Sequence, residues 1–181
     1  MTTVNVVPTP NPDALMFRVG ETLVPAGTYE YAAAAETPDD APLAQALLAL
    51  SGIELILIAP KFVTVRKQSE ADWASLQPRV TAALDRFLDS GEMAVFETRP
   101  SGPPQRTEVE QQIVTLIDEE IRPAVAQDGG DITFVSFIDG VVTVRMSGAC
   151  GSCPSSSLTL KAGVERLLTE EIPAVTSVEA L

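Results

Sequence analysis

The chain has 181 residues, of which 45% are hydrophobic, and it carries a formal net charge of −13. That length suits one large domain or two small ones, and the apolar content can fill their cores. The acidic sequence has no stripe of basic residues, so we do not expect nucleic acid or anionic membranes as partners. The chain also contains no histidine, so imidazole-based catalysis is excluded and we expect a protein that is not an enzyme.

The sequence also bears on the cellular compartment. No apolar run reaches the roughly 18–20 residues that a membrane-spanning helix needs, and the first residues lack the core of a signal peptide. We expect a cytoplasmic protein, with the mitochondrial matrix as the alternative if a presequence has been removed. In the cytoplasm thiols stay reduced, which favours metal binding or redox chemistry over a structural disulfide.

The first half of the chain, residues 1–96, predicts a small α+β domain. A turn-forming cluster occupies residues 9–13. A capping pattern at Ser69-x-x-Asp72 opens the longer helix, which places Trp73 in the core, and Gly91 ends it. The predicted elements are strands at residues 15–19, 28–33, 53–58 and 62–66 and helices at residues 42–50 and 69–89.

A linker is predicted at residues 97–106. Its sequence, E-T-R-P-S-G-P-P-Q-R, has three prolines and no apolar periodicity. The adjacent prolines Pro103 and Pro104 favour an extended segment. We therefore expect two small domains joined by a proline-rich linker.

The second half, residues 107–181, predicts an α-β-β-α-β domain and hence an α+β fold. A capping box at Thr107-x-x-Glu110 opens a helix that Pro123 is expected to disrupt at its end. A turn at residues 128–131 follows, and Asp139-Gly140 predicts a tight hairpin. The remaining predicted elements are strands at residues 132–138, 141–146 and 176–180 and a helix at residues 154–171.

Cys150 and Cys153 are the only cysteines, in the order Cys-Gly-Ser-Cys-Pro. Pro154 suits the first position of a helix, so the pair is expected at a helix N-terminus. There the helix dipole stabilises a thiolate or an anionic metal–sulfur cluster. We therefore take Cys150 and Cys153 as the candidate metal-binding or cofactor-binding residues.

Four interpretations of this Cys-x-x-Cys remain open on spacing alone. Two chains could share a zinc ion or an iron–sulfur cluster, each supplying two of four thiolates. The pair could also be a thiol–disulfide redox centre, or two inert buried cysteines. A thioredoxin-like redox fold is disfavoured, because only 28 residues follow Cys153, enough for one helix and one strand.

Several motifs in order resemble the NifU-like C-terminal domain. They are D-G-G-D-I at residues 128–132, G-A-C-G-S-C-P-S-S at 148–156, T-L-K-A-G-V-E at 159–165 and I-P-A-V-T-S-V at 172–178. The first half is similar to the Nfu N-terminal domain through T-P-N-P-D-A-L-M-F at residues 9–17, residues 52–65 and Asp72-Trp73. The segment I-L-I-A-P at residues 56–60 departs from that family's pattern.

The resemblance to the Nfu family implies a scaffold or carrier for iron–sulfur clusters. It implies that Cys150 and Cys153 ligate a [4Fe–4S] cluster bridged between two chains in a homodimer; a [2Fe–2S] form is a further option. The implied partners are apo-proteins that receive the cluster and the cluster-assembly machinery. Because the N-terminal domain has no cysteine, it is expected to dock clients or partners.

Overall fold

The computed structural model describes residues 4–33, 40–95, 106–150 and 154–181, without the side chains of residues 154–158. The chain divides into two compact units, Met1–Arg99 and Pro100–Leu181. Apart from Arg106, the predicted linker lies outside the described residues, so its boundaries stay a prediction. Both units mix helices with sheets, which confirms the α+β fold class.

The first unit is built on one antiparallel sheet of five strands. They are β1 (Asn5–Pro8), β2 (Ala14–Arg18), β3 (Tyr29–Ala32), β4 (Ile53–Ile58) and β5 (Phe62–Lys67), in the spatial order β1-β2-β5-β4-β3. The helices are α1 (Pro42–Leu48) and α2 (Trp73–Ser90). The sequence analysis missed β1, a short strand at the edge of the described sheet that pairs with β2 and whose residues are half-buried or exposed.

Helix α2 begins three residues later than the capping pattern predicts. Asp72, rather than Ser69, is the N-cap, and its carboxylate accepts a hydrogen bond from the Ser75 N–H at 3.2 Å. A carboxylate fills that position well because it satisfies an orphan N–H and faces the positive end of the helix dipole. Gly91 ends α2 in the left-handed conformation, as predicted.

Trp73, at the start of α2, packs at the margin of the core and is half-buried. Its indole N–H donates to the carbonyl of Pro12 at 3.1 Å. The same loop is held by Asp13, whose side-chain Oδ1 lies 2.6 Å from Lys67 Nζ and whose carbonyl accepts from the Lys67 N–H. The predicted turn at residues 9–13 is thus tied to both β5 and α2.

The second unit follows the predicted α-β-β-α-β order. Its elements are α3 (Glu108–Leu116), a π-helical turn (Ile117–Ile121), α4 (Arg122–Gln127), β6 (Gly130–Ile138), β7 (Val141–Gly148), α5 (Pro154–Glu171) and β8 (Ser177–Ala180). Strand β7 lies in the middle of the sheet, antiparallel to β6 and parallel to β8. Helix α5 forms the crossover between the two parallel strands.

The first helical stretch of this unit is disrupted just before Pro123, as expected, but it does not end there. The backbone widens into the π turn, where the Arg122 N–H donates to the carbonyl of Ile117, five residues back. Helix α4 then includes Pro123 in its first turn and runs to Gln127. A proline in a regular helix lacks one N–H and crowds the carbonyl four residues earlier, and a π turn relieves that conflict.

Two local predictions for the second unit are confirmed, namely the capping box at Thr107 and the Asp139-Gly140 turn. At the start of α3, the Glu110 N–H donates to Thr107 Oγ1, and the Thr107 N–H donates to Glu110 Oε2 at 2.7 Å. Hydrogen bonds from Thr107 lower the pKa of Glu110 below its ordinary value. Asp139 and Gly140, with φ of 51° and 84°, form the tight turn between β6 and β7.

Helix α5 is fixed to the sheet by an apolar face and by one carboxylate. Val164 and Leu168 are buried, and Leu160 and Leu167 are partly buried. The half-buried Glu165 accepts a hydrogen bond from the N–H of Val178 in β8 at 2.8 Å. This bond satisfies a donor on the outer edge of the sheet and sets where α5 lies, and therefore where its first turn lies.

Replacing Glu165 with alanine should destabilise the second unit by about 1–3 kcal/mol, because the buried Val178 N–H loses its acceptor. Glu165→Gln keeps an acceptor oxygen and should cost less. Glu170→Ala, on the exposed side of the same helix, is the matched control and should stay within about 0.5 kcal/mol of the parent. Urea unfolding measures all three, and equal losses for the alanine and glutamine variants would contradict the role given to this hydrogen bond.

Candidate metal centre

The loop that carries the cysteine motif starts where β7 ends and folds back on the turn before β6. Gly148, with φ of 71°, ends β7 opposite Gly130 in the strand register. The next residue, Ala149, directs its N–H to the carbonyl of Gly129 at 3.3 Å. The D-G-G-D segment and the cysteine motif, some 20 residues apart in sequence, are therefore neighbours in the fold.

Cys150 lies against Gly130 and within the core of the second unit. It is 4% exposed and belongs to the apolar cluster formed by helices α3 to α5 and the sheet. A Cβ atom built on Gly130 would stand 2.7 Å from Cys150 Sγ and 3.0 Å from both Cys150 Cβ and the Ser147 carbonyl oxygen. Glycine is thus required at position 130 by space, since its φ is not positive.

Arg122, the first residue of α4, holds the strand that begins with Gly130. Its Nε lies 3.1 Å from Asp131 Oδ1, and its Nη2 donates to the carbonyl of Ile132 at 3.1 Å. The Nε contact is an ion pair rather than a well-aligned hydrogen bond. A third contact joins Nη1 to Asp118 Oδ1 at 2.8 Å.

The Arg122–Asp131 pair is electrostatically important because Asp131 is only 3% exposed. Removing one partner of a buried pair leaves a charge without compensation, typically at a cost of about 3–5 kcal/mol. Arg122 is partly open to solvent, which reduces that cost. The carboxylate of Asp131 therefore serves an internal ion pair with Arg122.

The structure describes one of the two predicted ligands. Cys150 is described, whereas Cys153 lies outside the described residues, as do Ser152 and the side chains of Ser155 and its neighbours. Helix α5 begins at Pro154, as predicted. The approach of the two sulfur atoms to one metal centre stays a prediction.

The described part of the chain holds no cluster of three or more histidine, cysteine, aspartate or glutamate side chains that could bind a metal ion. Within the same residues, no helix combines the length and the apolar character that crossing a bilayer would demand. The candidate donors of the second unit stay those predicted from the sequence, Cys150 and Cys153, since thiolates are ligands for zinc and iron–sulfur clusters.

Sequence reasoning missed the surroundings of Cys150. The sequence analysis predicted only a turn at residues 128–131, which agrees with the positive φ of 74° at Gly129. Gly130 instead makes room for sulfur, and Arg122 was not singled out at all. The spacing of Asp118 and Arg122, four residues apart on a helix, is a readable signal for an ion pair; the contact with Asp131 depends on the fold.

Comparison with known proteins matches each unit to a family model. The family model "Scaffold protein Nfu/NifU N terminal" matches residues 4–91, and the model "NifU-like domain" matches residues 113–179. The protein named "NFU1 iron-sulfur cluster scaffold homolog, mitochondrial" of Drosophila persimilis is 39% identical over 94% of this chain. The human protein of the same name is also 39% identical over 94% of this chain, which spans 68% of its length.

The chain spans 62% of the length of the Drosophila relative. Among solved structures, the NifU-like protein from Saccharomyces cerevisiae is 22% identical, with a TM-score of 0.49 over 54% of this chain and 87% of that one. Protein SAV1430 from Staphylococcus aureus is 20% identical, with a TM-score of 0.42 over 46% and 99% of the two chains. These structural likenesses are weak, and the assignment rests on the sequence matches: the chain belongs to the Nfu family of iron–sulfur cluster scaffold homologues.

Proposed function

We propose that this protein is a non-catalytic carrier that binds a [4Fe–4S] cluster between two copies of the chain and transfers it to apo-proteins. The observation that carries the proposal is the ligand inventory. Cys150 and Cys153 are the only cysteines, and histidine is absent. The relatives at 39% identity are named as iron–sulfur cluster scaffold homologues, which favours an iron–sulfur cluster over zinc as the cargo.

A shared site follows from counting ligands. A [4Fe–4S] cluster held by the protein takes four cysteine thiolates, and one chain supplies two. Two chains related by a two-fold axis would bring two copies of the motif together. The cluster then favours the homodimer, because a ligand that binds only the dimer stabilises it by mass action.

Delivery also follows from a divided site. Each chain of this dimer provides half of the coordination, so the cluster is exposed when the two chains separate and neither has to unfold. The recipients in this proposal are apo-proteins that need a cluster, and the cluster-assembly machinery is the source. The relatives are named as mitochondrial, which favours the matrix alternative over the cytoplasmic expectation.

The first unit is assigned to docking in this proposal. It contains no cysteine and has its own apolar core. Its residues 9–13 form a loop braced by Lys67 and Trp73, and loops held by a rigid scaffold are common contact surfaces.

Replacing both ligands, Cys150→Ser and Cys153→Ser together, should abolish cluster binding, because a serine hydroxyl is a poor substitute for a thiolate. Anaerobic reconstitution with iron and sulfide, followed by iron and sulfide analysis and visible absorbance, makes the measurement. Ser136→Ala is the matched control, since Ser136 lies in β6 of the same sheet, toward the hairpin end, and is not a ligand in this proposal. Equal iron in the double variant, or zinc as the only metal retained by the parent, would contradict the proposal.

Removing residues 1–97 should leave cluster assembly intact and slow delivery, because the ligands and their core belong to the second unit. The comparison uses reconstitution for assembly and activation of an apo-acceptor for delivery, at equal cluster concentration. If the shortened chain fails to assemble a cluster while its circular dichroism shows a folded unit, the docking role assigned to the first unit is wrong.

A further inference from the structure

The thiol of Cys150 packs closely against the backbone where β6 begins and β7 ends. We call this packing site the Gly130 seat and define it by Gly130, Ser147 and Gly148. Gly130 Cα faces Cys150 so closely that an added Cβ would stand 2.7 Å from Sγ. Ser147 and Gly148 of β7 pair with Asp131 and Gly130 of β6. The seat therefore depends on the alignment of the first residues of β6 with the last residues of β7.

The first residues of β6 are held by more than the strand ladder. Arg122 spans three acceptors, namely the carboxylates of Asp118 and Asp131 and the carbonyl of Ile132. Asp131 and Ile132 directly follow Gly130 in sequence. Arg122 thus connects helix α4 to the residues that immediately follow the seat.

We propose that Arg122 is a positioning residue for Cys150: by fixing Asp131 and Ile132 it keeps the Gly130 seat in place. The seat in turn holds the thiol in one sheltered position while the chain carries no cluster. The 4% exposure of Cys150 and its membership of the apolar core are the signs of that shelter. This inference deepens the proposed function, on which it rests for the role of Cys150 as a ligand.

Arginine suits this place better than lysine. Its planar fork of five donors can reach two carboxylates and a carbonyl at once, whereas an ammonium group is a single point of charge on a flexible stem. Arg122→Lys should keep part of the attraction to Asp131 and lose the simultaneous contacts. It is therefore expected to lie between the parent and a neutral variant.

The test measures how fast Cys150 reacts with iodoacetamide in the cluster-free chain under native conditions. The Cys153→Ser background makes Cys150 the only thiol, so the modified mass reports on this residue alone. In that background Arg122→Gln should raise the alkylation rate roughly tenfold, the factor by which local opening becomes more frequent when about 1.4 kcal/mol of local stability is lost. The cause would be local opening of the seat.

Global unfolding must be separated from local opening. The free energy of unfolding of each variant is measured in parallel, and the rate increase that global unfolding alone would produce is calculated from it. Arg166→Gln, which removes an exposed ion pair with Glu170 in the same unit, is the matched control and should leave the rate unchanged. An Arg122→Gln rate that is unchanged, or raised only as far as lost global stability explains, overturns the proposal.

A second variant guards against misfolding caused by an unpaired Asp131. The pair Arg122→Gln and Asp131→Asn leaves no buried charge without a partner, yet it still loses the three-way contact of the guanidinium. Cys150 should remain more reactive than in the parent, and a return to the parent rate would refute the positioning role. Because the assay uses cluster-free protein, it can fail or succeed whether or not the chain proves to carry a cluster.

Discussion

The second unit depends on one close contact, the packing of Cys150 against the backbone of Gly130. The space between them admits no Cβ atom, so the sequence must place glycine opposite the cysteine loop. The constraint joins two motifs that lie far apart along the chain. It also explains both glycines of the D-G-G-D segment. Gly129 adopts the positive φ of the turn, and Gly130 leaves space for the side chain of Cys150.

The acidic residue after the two glycines serves the same contact. Asp131 is buried and paired with Arg122, and a buried pair is weak evidence for added stability because desolvation offsets most of its attraction. In this unit the role of the Arg122–Asp131 pair is to align neighbouring elements. The pair fixes the start of β6 relative to α4, while Glu165 fixes α5 relative to β8, so both sides of the cysteine loop are anchored to one three-stranded sheet.

The π turn before Arg122 has a consequence for this alignment. One extra residue in a helical turn rotates everything that follows by about 100° relative to a regular helix. Arg122 is the residue that follows the turn directly, and its side chain reaches β6 from there. The π turn before Pro123 therefore changes the direction in which Arg122 leaves the helix, compared with a regular helix through the same residues.

Much of this architecture could be predicted from local signals. The capping box at Thr107, the Asp139-Gly140 turn and the proline at the start of α5 each act within a few residues, and each prediction was confirmed. The missed edge strand β1 reflects weak local preferences that pairing with β2 decides. The start of α2 is set locally by Asp72, whose carboxylate accepts from the Ser75 N–H. The Gly130 seat and the Arg122–Asp131 pair could not be read from sequence, because they form only when distant segments pack together.

The central claim is that each chain holds half of a binding site and that the cluster joins two chains. Native mass spectrometry of anaerobically reconstituted protein tests it most directly, with the mass of intact ions reporting the number of chains and the cluster composition together. The proposal predicts one [4Fe–4S] cluster on a species of two chains and none on the single chain. A cluster on single chains, or cluster-bearing dimers that persist when both Cys150 and Cys153 are replaced by serine, would contradict it.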